Sequence, residues 1–177
     1  MANKNPSFQT IGTILALARS VIALLTSIYE VNIMNSQQRA MVWPHLKVYQ
    51  NYSSEGFRIK GSNYGTGPAI VKSVEVTIDG EPVKDINDFL DSMVPGRTMG
   101  YDVIGVGDLN SSVFKPEEDR DLLYLPWNEE THALVDQLYK VNLVVCYESV
   151  LGDSWYFDLK DGETREGKFE SRLEFDN

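Results

Sequence analysis

Two periodicities divide the chain. From Ile11 to Val31, in IGTILALARSVIALLTSIYEV, apolar residues run almost without a break. From His45 onward they recur at every second position, as in HLKVYQNY and GFRIKGSNY. The first pattern predicts one long helix and the second a series of strands. The expected fold is therefore α+β by segregation: an N-terminal transmembrane or neck helix, then a mainly antiparallel β-sandwich of immunoglobulin-like type. Residues 1–31 form the helix in this reading, residues 32–44 a helical neck, and residues 45–177 a soluble β-sandwich domain.

The apolar segment is long enough to cross a bilayer, since about 20 residues at 1.5 Å each span a hydrocarbon core of roughly 30 Å. Arg19 makes that crossing marginal. Ten Leu, Ile and Val side chains lie between Ile11 and Val31. They contribute about −3 to −6 kcal/mol on an insertion scale, against about +2.5 to +3.5 for a central arginine. The polar and small residues share one helical stripe, which includes Gln9, Thr13, Ala16, Arg19, Ser20, Ala23, Ser27 and Glu30. Small-xxx-small spacings in Gly12/Ala16/Ser20 and Ala23/Ser27 permit close helix approach. Three arrangements satisfy this pattern: a stripe lining a water-filled pore, a packing seam between helices, and an amphipathic helix docked on a soluble core. The opening MANKNPSFQ carries one lysine and no cleavage signal, so the segment is expected to be retained.

Past Val31 the sequence stays compatible with a helix until Pro44, which disfavours helical angles at the residue before it. The hairpin of HLKVYQNY and GFRIKGSNY around an SSEG turn follows, then AIVKSVEVTIDGEPV with an Asp79-Gly80 turn, a short helix in DINDFLDSM, and strands in YDVIGV and DLLYLP. NEETHALVDQLYK predicts a helix or turn, and KVNLVVCYESVLGDSWYFDLK a hairpin. The spacing of Phe169, Leu173 and Phe175 predicts a last edge strand.

A net charge of −10 disfavours a broad non-specific grip on nucleic acid or on an anionic membrane. With Cys146 as the only cysteine, neither an intramolecular disulfide nor a cysteine zinc site can form. His45 and His132 lack metal-ligand spacing. GTGPAIVKS lacks the Gly-Lys pair of a P-loop, and Pro68 removes a donor that would cradle phosphate. In the glycine-rich turn, Gly65 and Gly67 are expected to supply positive φ. The carboxylates of DINDFLD and PEEDRDL read as solvated faces. No catalytic residues, metal ligands or cofactor site are expected, and the chain reads as a non-enzyme.

One constellation in the hairpin points to a ligand. Pairing Tyr52 with Phe57 sets Asn51 opposite Arg58, Tyr49 opposite Lys60 and Lys47 opposite Ser62, all facing outward, with Leu46, Val48, Phe57 and Ile59 facing inward. Lys47, Tyr49, Arg58 and Lys60 then combine cations with an aromatic ring, the elements of a surface for nucleotides or single-stranded nucleic acid.

QQRAMVWPHLKV after an N-terminal apolar helix, then SNYGTGPAIVKSVEVTIDG, then VVCYESVLGDSWYFDL, resembles bacterial membrane-anchored proteins with an N-terminal helix and a C-terminal β-domain. Asn63, Gly65, Gly67, Pro68, Ala69, Lys72 and Ser73 are the most distinctive positions of that resemblance. Met41 and His45 depart from the serine and tyrosine of the corresponding tract. Within this group the chain resembles the membrane effector of Hailong-type anti-phage defence systems. That resemblance implies a homo-oligomeric channel, a tetramer being one arrangement, held shut by single-stranded DNA oligomers from a partner nucleotidyltransferase. Lys4 precedes the helix, while Arg39 and Lys47 follow it, so charge alone barely orients the segment. The lone cysteine and the resemblance favour a single pass through the bacterial inner membrane, with lipid around the helix and the β-domain in the cytoplasm. The alternative is an extracytoplasmic, membrane-anchored binding module without a pore.

Overall fold

The computed structural model of the chain describes residues 8–93, 95–96, 110–128, 131–135 and 137–175. It divides into two compact units, residues 1–40 and 41–177.

The first unit is dominated by helix α1, Phe8–Met41. The chemical boundary at Val31 leaves no structural mark, because the neck sequence NIMNSQQRAM holds no helix breaker and continues the same helix to Met41. The chain leaves the helix before Trp43-Pro44, where the proline restricts its predecessor to extended angles.

In the second unit, strands β1 (Leu46–Tyr52) and β2 (Gly56–Asn63) form the expected hairpin. Its register is the one read from the alternation, with Tyr52 opposite Phe57, Asn51 opposite Arg58, Tyr49 opposite Lys60 and Lys47 opposite Ser62. Leu46, Val48, Phe57 and Ile59 are buried. Strand β3 (Ala69–Ile78) turns through Asp79 and Gly80, both at positive φ, into β4 (Glu81–Val83). Consecutive left-handed residues fit the right-handed twist of a two-residue hairpin, which is why Asp-Gly suits this turn.

Helix α2 (Ile86–Met93) follows. Asp85 caps it by accepting hydrogen bonds from the backbone N–H groups of Asn87 (2.9 Å) and Asp88 (3.0 Å), satisfying donors that have no partner within the helix. Its apolar face buries Phe89, Leu90 and Met93. Next come β5 (Val113–Phe114), β6 (Asp119–Pro126), helix α3 (His132–Val135) and a 3-10 turn (Leu138–Lys140). The chain then forms β7 (Val141–Glu148), β8 (Ser154–Asp158) and β9 (Glu163–Glu166). The strand expected in YDVIGV, residues 101–106, lies outside the described residues.

The strands form two mostly antiparallel sheets, one ordered β1-β2-β6 and the other β4-β3-β7-β8-β9, with β5 pairing against β3. Val48, Phe57, Ile59 and Leu125 of the first share one apolar core with Val71, Val76, Leu143, Val145 and Phe157 of the second. A bulge between Val71 and Ser73 keeps Val74, Val76 and Ile78 in that core. Ser73, Glu75 and Thr77 therefore fall on the opposite face of the second sheet.

The last strand differs from expectation. β9 forms at Glu163–Glu166, and residues 167–175 have no regular structure. Of the expected strand residues only Phe175 is packed: it is buried in the shared core, and its N–H donates to the Val74 carbonyl (2.9 Å), while Leu173 is exposed.

Because the core draws only on residues of the second unit, a chain starting at Met41 should fold alone. Circular dichroism should show a β-rich spectrum and one cooperative melt. An unfolded product from this truncation, beside a folded full-length protein, would contradict the two-unit description.

Candidate functional site

Helix α1 has 34 residues, about 51 Å at 1.5 Å per residue, and one segment of it is long and apolar enough to cross a membrane. Its apolar side chains are unburied in the single chain: Ile14, Leu15, Leu17, Ile22, Leu24 and Leu25 are all about 60% exposed. Thr13, Ala16, Arg19, Ser20, Ala23, Ser27 and Glu30 are exposed as well, while the side chain of Gln9 lies outside the description. The Ser20 hydroxyl donates to the Ala16 carbonyl (2.9 Å) and the Thr26 hydroxyl to that of Ile22 (3.0 Å). Both polar groups are satisfied inside the helix, so neither would present an unpaired donor to lipid.

The continuous helix gives the stripe a sharper geometry. Thr13, Ser20 and Ser27 repeat every seven residues and interleave with Ala16, Ala23 and Glu30. One more heptad along α1 the small and polar character ends on one row, at Met34 and Met41, and persists on the other at Gln37. A 3.5-residue period marks a left-handed helix-to-helix seam. Arg19 sits about 100° around the helix from Ser20, on the flank of this seam and not on its midline.

On the outward face of the three-stranded sheet, the hairpin residues do converge, but with company that their local sequence does not announce. β6 pairs with β2 so that Arg58 lies opposite Tyr124, Lys60 opposite Asp121 and Ser62 opposite Asp119. The Lys60 ammonium is 3.1 Å from Asp119 Oδ2 and 3.4 Å from Asp121 Oδ1. The Arg58 guanidinium is 3.0 Å from Glu55 and 3.4 Å from Asp121, and it stacks 4.4 Å from the centroid of the Tyr124 ring. Asp119 also accepts hydrogen bonds from the Ser62 hydroxyl (2.6 Å) and the Tyr49 phenol (3.3 Å).

The Ser62 hydroxyl, and then Lys60, hold the Asp119 carboxyl below its usual pKa. Asp119 in turn raises that of Lys60. Glu55 raises that of Arg58. Lys47 is exposed and makes no ion pair among the described residues.

Two cations, Arg58 and Lys60, thus face three carboxylates, Glu55, Asp119 and Asp121. This corrects the solvated reading of PEEDRDL, since Asp119 and Asp121 pair across the sheet with the basic residues of β2. The missed signal was the matching two-residue spacing of Asp119/Asp121 and Arg58/Lys60, which suits opposite charges on neighbouring strands. A phosphate arriving here must displace carboxylates from Lys60 and Arg58.

The glycine-rich loop is also explained differently than expected. Neither Gly65 nor Gly67 has positive φ. A Cβ on Gly65 would lie 2.3 Å from the Trp43 carbonyl oxygen, and one on Gly67 2.1 Å from that of Val42. The constraint is close backbone approach. The Trp43 carbonyl accepts hydrogen bonds from the N–H groups of Thr66 (2.9 Å) and Gly67 (3.1 Å), and the His45 carbonyl accepts one from Tyr64 (2.9 Å).

Asn63, 1% exposed, completes the clamp. Its Nδ2 donates to the carbonyls of Gly67 (2.9 Å) and Phe114 (3.1 Å), while its Oδ1 accepts from the N–H groups of His45 (3.1 Å) and Gly65 (3.0 Å). Both histidines stack on tryptophans, His45 on Trp43 at 5.1 Å and His132 on Trp127 at 4.9 Å. Among the described residues, no group of three or more His, Cys, Asp or Glu side chains is placed to hold a metal ion. Comparison with protein-family models, with curated proteins and with solved structures gave no match.

Two predictions follow from the clamp. Asn63→Ala removes the side-chain partner of four backbone groups, three of these bonds buried and that of His45 part-buried, and should destabilise the β-domain by about 2–4 kcal/mol, read as a shift in the denaturant midpoint at unchanged slope. Burial, and then Lys47, lowers the His45 pKa from 6.5. The unfolded chain then binds the extra proton first, so stability declines as pH falls below about 6.5. His45→Gln should flatten that decline in denaturation midpoints measured from about pH 7.5 to 5.5.

Proposed function

We propose that this chain is the subunit of an oligomeric membrane channel, gated through its β-domain by a nucleotide or oligonucleotide signal in bacterial anti-phage defence. The observation that carries the reading is Arg19, a charge on the flank of a seven-residue series suited to helix packing, on a helix whose apolar side chains are unburied in the single chain. A lone span must place the guanidinium against hydrocarbon or drag water to it. Several parallel copies give it a hydrated or protein-lined environment instead. Gln9, Thr13, Ala16, Ser20, Ala23, Ser27 and Glu30 would then line or border the axis, and charge near a constriction would set ion preference.

The β-domain is assigned to the immunoglobulin-like class. What supports this reading is the likeness of β1-β2-β6 and β4-β3-β7-β8 to strands A-B-E and C′-C-F-G of such a sandwich, with β9 and the β5–β3 pairing outside that correspondence. In this reading it lies on the cytoplasmic side of the inner membrane and receives its signal from a partner nucleotidyltransferase, as the family resemblance implies. Lys47, Tyr49, Arg58 and Lys60 form the receiving face, where the ligand's phosphates compete with Asp119 and Asp121 for Lys60 and Arg58. The opposed charges favour a second reading, a membrane-anchored extracytoplasmic binding module with no pore, because the face has no net positive charge to offer.

Arg19→Leu should improve membrane insertion by about 3 kcal/mol yet reduce or abolish ion flux in liposomes and any toxicity on expression. Equal flux from both proteins, or none from either across the ligand conditions, would sink the pore. For the ligand, Asp119→Asn with Asp121→Asn should tighten binding of a short single-stranded DNA about tenfold and steepen its salt dependence. Unchanged binding would remove this face from the gating proposal.

A further inference from the structure

The outer face of the second sheet is crossed by the irregular segment 167–175, and the contacts trace its path. The Phe169 ring packs against Tyr156 of β8 at 5.7 Å, and the Phe169 carbonyl lies 3.7 Å from Cys146 Sγ of β7. Further along, Ser171 and Arg172 meet Glu75 of β3. At the end, Phe175 binds the Val74 carbonyl and enters the core. That carbonyl lies on a stretch of β3 between its pairings with β5, at Ala69 and Ile70, and with β4, at Val76 to Ile78. The segment therefore runs over the sheet from β8 and β7 to β3 and turns inward there.

Glu75 is the fixed point of this path. Its side chain is 3% exposed, a cost for a carboxylate that only partners can offset. Among the described residues, its side chain's hydrogen-bonding partners come from the segment: the Arg172 N–H at 2.6 Å, the Ser171 hydroxyl at 3.1 Å, and the Arg172 guanidinium at 3.3 and 3.4 Å. The guanidinium also donates to the Gly80 carbonyl at 3.0 Å, yet its own side chain is 59% exposed. One end of the latch is thus buried in the sheet and the other is open to solvent, on a segment outside any strand that bonds the sheet backbone at its two ends, through the Gly167 N–H on the Ser154 carbonyl (2.8 Å) and the Phe175 N–H on that of Val74 (2.9 Å). The hinge is Gly167, at φ 126 with nothing near its missing Cβ.

We propose that residues 167–175 form a releasable strap, latched by Glu75, that covers the outer face of the second sheet and uncovers it as a unit. Release frees Glu75 and Cys146 together and draws Phe175 out of the core, while the strands of the two sheets stay paired. The device is independent of whether α1 forms a pore.

Cys146, the only cysteine of the chain and buried beneath Phe169, reports release directly. Thiol modification by an aromatic disulfide reagent would be timed on the full-length protein in detergent, on Glu75→Gln and on a chain ending at Gly167. Loss of the charge-assisted contacts should speed modification in Glu75→Gln about ten- to a hundredfold, because reaction follows the population of the open form. The shortened chain should react faster still, and both variants should keep the circular dichroism and cooperative melt of the wild type. Modification no faster in Glu75→Gln overturns the latch. Modification that keeps pace with global unfolding across denaturant, or loss of the β fold on removing the strap, overturns the strap as a separately moving unit.

Discussion

The carboxamide of Asn63 has two donors and two acceptor sites, and all four are spent on backbone groups of three different segments. It joins the entry to β1 at His45, the loop at Gly65 and Gly67, and β5 at Phe114. Around it the backbone of Val42 and Trp43 runs so close to Gly65 and Gly67 that no Cβ fits at either glycine. The chain leaving α1 is thereby fixed to the β2–β3 loop before it enters the first strand. Any force that reaches residues 42–45 is carried by this polar, tightly packed joint, whose buried groups cannot be left unpaired cheaply.

From that joint outward, charge is handled in two ways. On the three-stranded sheet, Lys60 and Arg58 share Asp121 across neighbouring strands, Lys60 also pairs with Asp119, and such solvent-screened pairs contribute little to stability. They cost little to rearrange, which suits a face that exchanges partners. On the other sheet, Glu75 is almost fully buried and depends on Arg172 and Ser171. Breaking that contact leaves an uncompensated carboxylate, so the same acidic chain holds one adaptable surface and one latch.

Much of the fold was legible because it is local. The alternation in LKVYQNY and GFRIKGSN set both the inward face and the register of the first hairpin, since a one-residue slip would turn every apolar side chain to water. Asp79-Gly80 announced its turn by the φ values it allows. The rest was non-local. Nothing near Arg58 and Lys60 tells that β6, some sixty residues later, brings Asp119 and Asp121 alongside. Gly65 and Gly67 read as residues chosen for φ, whereas their role depends on a backbone segment twenty residues earlier. The alternation of Leu173 and Phe175 reads as a strand although only Phe175 is buried and neither residue lies in one.

Helix α1 poses the constraint that the β-domain does not share. Its apolar surface, its seven-residue series of small and polar positions and the flanking Arg19 are reconciled when copies of the helix pack side by side. Closed rotational symmetry then encloses an axis, which one helix cannot do. The mass of the detergent-extracted particle, measured beside the β-domain alone, tests this most directly. The account predicts a closed ring of identical chains for the full-length protein and a monomer for the chain beginning at Met41. A full-length particle containing a single chain would contradict it.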